Sequence, residues 1–172
     1  MKNIIVLFFL GIFIFTSCEK EYEPENTGTV DFAGQWWVHH NVMGTDLFGA
    51  GYGPLNTYNT AANDGKEIWI DDAYFWLYRV KCPVDVSSLT FSSPDTLYSV
   101  IEGYEIKITI KNGKIIKNGG TTVSGRTVDS IYYEVWFEDW PATIDYYGLG
   151  IPHDTPFEVG GVAHTGFEED AP

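Results

Sequence analysis

Tyr104-Glu105-Ile106-Lys107-Ile108-Thr109-Ile110-Lys111-Asn112-Gly113-Lys114-Ile115-Ile116-Lys117 is the stretch on which the fold turns. From 104 to 110 the even positions are apolar or aromatic and the odd ones polar. Successive side chains on a strand point to opposite faces, so this alternation predicts a strand with one buried and one wet face. Asn112-Gly113 then separates two strand-like runs. Asn-Gly is a strong hairpin signal, because a type I′ turn needs positive φ at both central residues. The spacing therefore predicts strands over Tyr104–Lys111 and Lys114–Lys117 with a tight turn between them.

The rest of the chain repeats this grammar. Ser130–Phe137 places Ile131, Tyr133, Val135 and Phe137 on one face and Tyr132, Glu134 and Trp136 on the other. Gln35–Val42 sets Trp36, Val38, His40 and Val42 on one side. Further strands are expected at Leu55–Ala62, Glu67–Ile70, Phe75–Val84, Leu89–Ser92, Ile144–Leu149 and Phe157–His164, with a turn at Asn63-Asp64-Gly65. Gly, Asn, Asp and Pro punctuate the chain every eight to twelve residues, and no stretch has a helical period. The reading is all-β: eight to ten antiparallel strands closed into a single barrel, which removes exposed edges. The triplet Gly34-Gln35-Trp36, at the entrance to the first strand, resembles the opening motif of lipocalins and other calycins, whose Trp closes the barrel floor.

The N-terminus is of another kind. Met1-Lys2-Asn3 is followed by an apolar run from Ile4 to Phe15, too short to span a bilayer and suited to a signal-peptide core. Phe15-Thr16-Ser17-Cys18 resembles the lipobox of bacterial lipoproteins, with Phe15 where Leu is usual. Residues 1–17 are then the signal peptide, and Cys18 the lipid anchor. The other reading is an ordinary secretory signal with an incidental Cys18. Residues 18–32 form an acidic tether, read either as a plain spacer or as resembling a surface-export signal, and 33–168 the barrel domain. Two or more acyl chains anchor stably where one does not. The expected location is the cell envelope, on the outer membrane.

Removing residues 1–17 leaves 155 of the 172 residues, enough for one domain with a sizeable core. Only Lys2 leaves the charged set, so nine basic residues face 24 acidic ones, a formal charge of −15. A chain this acidic lacks the positive footprint of a nucleic-acid binder. With Cys18 acylated, Cys82 has no partner for a disulfide.

Chemistry-bearing motifs are sparse. No serine sits in G-x-S-x-G, and neither H-E-x-x-H nor C-x-x-C occurs, so no catalytic residue, metal site or cofactor is assigned. His39 and His40 point to opposite faces of one strand. Asp71-Asp72 reads as an acidic turn or a cation site. Aromatic residues are the distinctive feature, with six Trp and eleven Tyr. Trp37, Trp69, Trp76, Tyr133 and Trp136 are candidate ligand-binding wall residues, since apolar pockets favour aromatic linings and barrel mouths. The alternative is that such rings fill the barrel as core. Phe48 and Tyr52 in Gly44–Gly53, and Tyr146 and Tyr147 in Pro141–Pro156, are candidate mouth-loop residues.

Several segments together resemble the Bacteroidota family of lipid-binding putative hydrolases: TYNTAAND at Thr57–Asp64, VKCPVDVSSLTFS at Val80–Ser92, KITIKNGKIIKNGGTTVSG at Lys107–Gly125, DSIYY at Asp129–Tyr133 and HTGF at His164–Phe167. The resemblance implies a lipocalin-like barrel and a lipid or other small apolar ligand, and carries over no catalytic residue. The leading expectation is a binding protein that buries such a ligand in a preformed barrel cavity. A cell-surface carbohydrate-binding accessory protein, a lipid or ester hydrolase, and a scaffold with a filled barrel remain the alternatives.

Overall fold

The computed structural model describes residues 26–140, 148, 150–152 and 154–172. Among these described residues nine strands follow one another: β1 (Gly34–Asn41), β2 (Gly53–Asn59), β3 (Glu67–Asp72), β4 (Tyr78–Asp85), β5 (Thr90–Phe91), β6 (Leu97–Tyr98), β7 (Lys107–Thr121), β8 (Thr127–Phe137) and β9 (Phe157–Ala163). All pairings are antiparallel, in the order β5-β4-β3-β2-β1-β9-β8-β7-β6. A further pairing of β5 with β7 closes an eight-stranded barrel, with β6 added along the first half of β7.

The alternation read from the sequence sets the two faces. Val38, Leu55, Ile70, Val80, Ile110, Val135 and Val159 are all buried in one continuous core. At the floor Trp36 is 3% exposed. Its indole N–H donates to Thr57 Oγ1 at 2.7 Å, and the Thr57 hydroxyl lies 2.5 Å from the Phe32 carbonyl. Phe32 belongs to a single 3-10 turn (Val30–Phe32) and meets Phe91 edge-on at 6.3 Å. The floor is therefore sealed by the residues that lead into β1.

The predicted hairpin at Asn112-Gly113 is absent. β7 runs through it as one strand of 15 residues, with a register shift against β8 between Lys111 and Lys114. Asn112 takes φ 56°, so the pair's tolerance for left-handed backbone serves a β-bulge rather than a turn. Gly113 is required there because β5 crosses close above it: a Cβ would lie 2.4 Å from the Phe91 carbonyl oxygen. The chain reverses instead at 122–126, where Gly125 has φ 90° and Thr122 N–H donates to the Arg126 carbonyl. Phe75–Leu77, expected at the start of a strand, lies in the loop before β4, for a reason given below. The expected strand at Ile144–Leu149 and the anchor Cys18 lie outside the described residues.

Asp170, in a C-terminal 3-10 turn (Glu168–Asp170), ties the chain end to the 122–126 turn. Its carboxylate accepts from Ser124, Thr122 at 2.7 Å and Thr165 at 2.6 Å, and faces Arg126 at 3.5 Å. The Ser124 hydroxyl, followed by those of Thr165 and Thr122, holds this carboxyl at about 2, against an ordinary 3.8. A carboxyl with a depressed native pKa stabilises the fold fully above its ordinary value, and that contribution drains away as pH falls toward the native one. The melting temperature of the wild type is thus expected to fall faster between pH 4 and pH 2 than that of Asp170→Asn. Parallel curves over that window would refute this role.

Candidate functional site

Strand direction places the loops between β1 and β2, β3 and β4, and β8 and β9 at the end opposite the floor. Among the described residues each of these loops carries aromatic side chains inward, and the first two are held by carboxylates at their roots.

In the loop between β1 and β2, Asp46 accepts backbone N–H groups of Phe48, Ala50 and Gly51 at 3.3, 3.2 and 2.9 Å. These bonds, that of Gly51 foremost, hold its carboxyl below the usual range against the opposing effect of desolvation. Asp72, at the end of β3, is fully buried and accepts the N–H groups of Tyr74, Phe75 and Trp76 at 3.0, 2.9 and 3.2 Å. This ring of amides explains why Phe75–Leu77 leaves the strand path: their backbone is bound to a side chain instead of a neighbouring strand. In the third loop Trp140 is buried, and its indole N–H donates to the Thr155 carbonyl at 3.1 Å.

The rings meet in a plug across the barrel end. Phe48 contacts Phe75, Trp140 and Phe157 at 5.8, 6.0 and 6.3 Å between centroids. Trp76 stacks on Phe137 at 5.1 Å and meets Trp140 edge-on at 5.7 Å, while Trp140 lies 4.1 Å from Phe157. Phe48 is still 39% exposed, so the plug reaches the surface.

A polar layer lies directly beneath. His40 stacks on Phe75 at 4.3 Å, and its Nε2 sits 3.1 Å from Asp72 Oδ2, close enough for an ion pair though off the line of a good hydrogen bond. Burial pushes the Asp72 carboxyl up, but His40 and the loop amides together outweigh it and hold the group below its ordinary value. The hydroxyls of Tyr78 and Tyr133, both fully buried, lie 2.5 Å apart. Burial pushes both phenols well above their usual range, with the neighbouring Asp72 charge adding to it, so both stay neutral at every physiological pH. Burial likewise raises the Cys82 thiol to about 12, which leaves it without nucleophilic character. Among the described residues no serine, threonine or cysteine side chain hydrogen-bonds to His40, so the His40–Asp72 pair lacks the third member of a nucleophilic triad.

The sequence-derived candidates divide between the two faces of the wall. Trp76 and Tyr133 project inward, Trp76 into the plug and Tyr133 into the polar layer. Trp37, Trp69 and Trp136 stand on the outer wall and do not line the interior. Trp37 follows the inward Trp36 and packs on His164 at 5.1 Å, while Trp69 and Trp136 lie under Lys81 and Lys111, each at 5.0 Å. Phe48 joins the plug, whereas Tyr52 lies outside against His39 at 5.1 Å. Tyr146 and Tyr147 lie outside the described residues. Asp71 and Asp72 do not share a site: Asp71 faces outward to Arg79 at 2.8 Å, and Asp72 faces inward. Phe75, Tyr78, Trp140 and Phe157 are not among the sequence-derived candidates, while His40, Asp72 and Phe137 enter there only as a strand histidine, half of an acidic turn or cation site, and a strand-face residue. The available signal was a polar residue continuing an apolar face, as His40 does after Trp36 and Val38, and Asp72 after Ile68 and Ile70.

A family model described as lipid-binding putative hydrolase matches residues 21–168. The chain belongs to this family. No curated protein matches it. Among the described residues the inward wall side chains pack into one core, and the loop-borne rings meet above it at the upper end.

Proposed function

We propose that this chain is an envelope lipoprotein, anchored through Cys18, that binds the acyl chain of a lipid at the plugged end of its barrel. The observation that carries this reading is the origin of the plug. Phe48, Phe75, Trp76 and Trp140 come from loops rather than from the hydrogen-bonded wall. They can swing away without breaking strand pairing. An acyl chain that takes their place replaces one apolar contact with another and gains about 0.8 kcal/mol per buried CH₂. The family assignment and the closed antiparallel barrel support the same ligand class, since barrels of this size hold one small ligand.

Titration with a bromine-labelled fatty acid tests the site. Quenching is expected for Trp76 and Trp140, and not for Trp37, Trp69 or Trp136, read from single-tryptophan variants that retain either group. Native mass spectrometry should show one lipid per chain. Saturable quenching confined to the outer tryptophans, or none at all, would remove the mouth as the binding site. The anchor is checked separately by metabolic labelling with palmitate, which Cys18→Ala should abolish.

A further inference from the structure

The outer wall holds a second built feature. β8 presents Tyr132, Glu134 and Trp136 outward, and opposite them β7 presents Lys114, Lys111 and Thr109. Around the bulge at Asn112-Gly113 this surface sinks into a cleft of about 790 Å³, walled on its far side by Thr90, Ser92 and Ser93. It continues through a hollow of about 430 Å³ that shares Lys111 with it. That hollow in turn shares Thr109 and Trp136 with one of about 280 Å³ ending at Trp140. The result is a groove along the strands rather than a round pit. Tyr132 and Trp136 stand about 13 Å apart along it by strand rise.

Three features describe what such a groove takes. First, the ring faces are turned into it. Lys111 Nζ lies 5.0 Å above Trp136 and Lys114 Nζ 5.2 Å above Tyr132, so a flexible ammonium lies over each ring. Neither lysine has a carboxylate within ion-pair distance among the described residues, although this is an acidic chain. Second, the lining is balanced in sign: Lys107, Lys111 and Lys114 face Glu134, Glu138 and Asp154. A polyanion would meet the carboxylates and a polycation the lysines, so the lining fits an uncharged ligand. Third, hydroxyl and amide groups supply further donors and acceptors, with Asn112 Nδ2 holding Glu134 at 2.8 Å. Flat apolar faces spaced along a trench, with alternating donors and acceptors between them, match a chain of sugar rings. The C–H faces of the sugars stack on the aromatics, and their hydroxyls bond the charged groups.

We infer that the outer face of β7 and β8 is a binding groove for a neutral oligosaccharide, running along the wall and meeting the apolar mouth only at its Trp140 end. On binding, Lys111 and Lys114 leave the ring faces and donate to sugar hydroxyls.

Native affinity electrophoresis of the intact barrel through gels containing starch, xylan, mannan or mixed-linkage β-glucan tests this. At least one of these neutral polymers should retard the protein. Trp136→Ala should weaken that retardation at least tenfold, and so should Thr109→Arg, which fills the groove without removing a packed side chain. Trp69→Ala, on the outer wall of β3, should not change it. Thermal unfolding of each variant controls for misfolding, and Thr109→Arg keeps the test decisive if Trp136→Ala does not fold. The inference is overturned if none of the four polymers retards the wild type, or if retardation persists in Thr109→Arg. Retardation only by an anionic polymer such as heparin would also overturn it.

Discussion

An Asp72→Ala variant is expected to lose about 3–5 kcal/mol of stability, measured as the urea midpoint at constant m-value. The substitution strands two kinds of group at once. His40 Nε2 loses the carboxylate beside it, and three backbone N–H groups of the loop after β3 lose their acceptor. A buried polar side chain left without its partner is costly, and each orphaned donor adds its own desolvation. Small domains hold only about 5–15 kcal/mol in total, so the loss is a large fraction of the whole. Asp72→Asn keeps an acceptor for some of the amides and should fall between the two. Amide exchange in residues 74–76 should accelerate in Asp72→Ala more than exchange at the floor. A change below about 1 kcal/mol would mean that the loop is held by ring packing alone.

Trp36→Ala is the second large expectation, at about 3–5 kcal/mol, equivalent to a melting temperature lower by roughly 10 °C. The indole is almost wholly buried where the strands converge on the floor, and it also supplies the donor to Thr57. Alanine would leave a void that the closed wall is poorly able to collapse around. Trp36→Phe restores most of the volume but not the N–H, so its cost should be nearer 1–2 kcal/mol. Because Trp36 lies at the far end from the plug, quenching by a bromine-labelled fatty acid at Trp76 should survive Trp36→Phe unchanged. Loss of that quenching would show that the ligand reaches the floor.

The architecture was legible because alternation is local. Ile108 and Ile110 on β7, and Ile131, Tyr133, Val135 and Phe137 on β8, follow the period of two without exception, and all are buried. Asn112-Gly113 misled for a physical reason: positive φ is needed equally by a tight turn and by a bulge, and only the strand crossing above Gly113 decides between them. The same holds for the tryptophans. Period two separates Trp36 from Trp37 within β1, but an aromatic strand position says nothing by itself about which side has the ligand. The plug was partly visible through Phe48 and Trp76. Its other members could not be grouped, because Phe75, Phe137, Trp140 and Phe157 come from four places in the chain and meet only after closure. His40 was legible as a histidine on an apolar strand face and Asp72 only as half of an acidic turn or cation site, and their pairing is a matter of how two distant strands are registered.

The wall is joined into a ring by β5, which has only Thr90 and Phe91 in register with Lys114 and Gly113 on one side, and with Asp85 and Val84 on the other. Every other joint in the cylinder is zipped by five or more paired positions. Mechanically the barrel is a long ribbon fastened by a short clasp, extended by one backbone bond each from Leu89 and Ser93 to β7 and by the Val100 N–H donating to the Arg79 carbonyl of β4. Its easiest rupture is there, sideways, and not across either end. Thermal breathing should therefore begin as a slit along one flank while the remaining seven strands stay laced together.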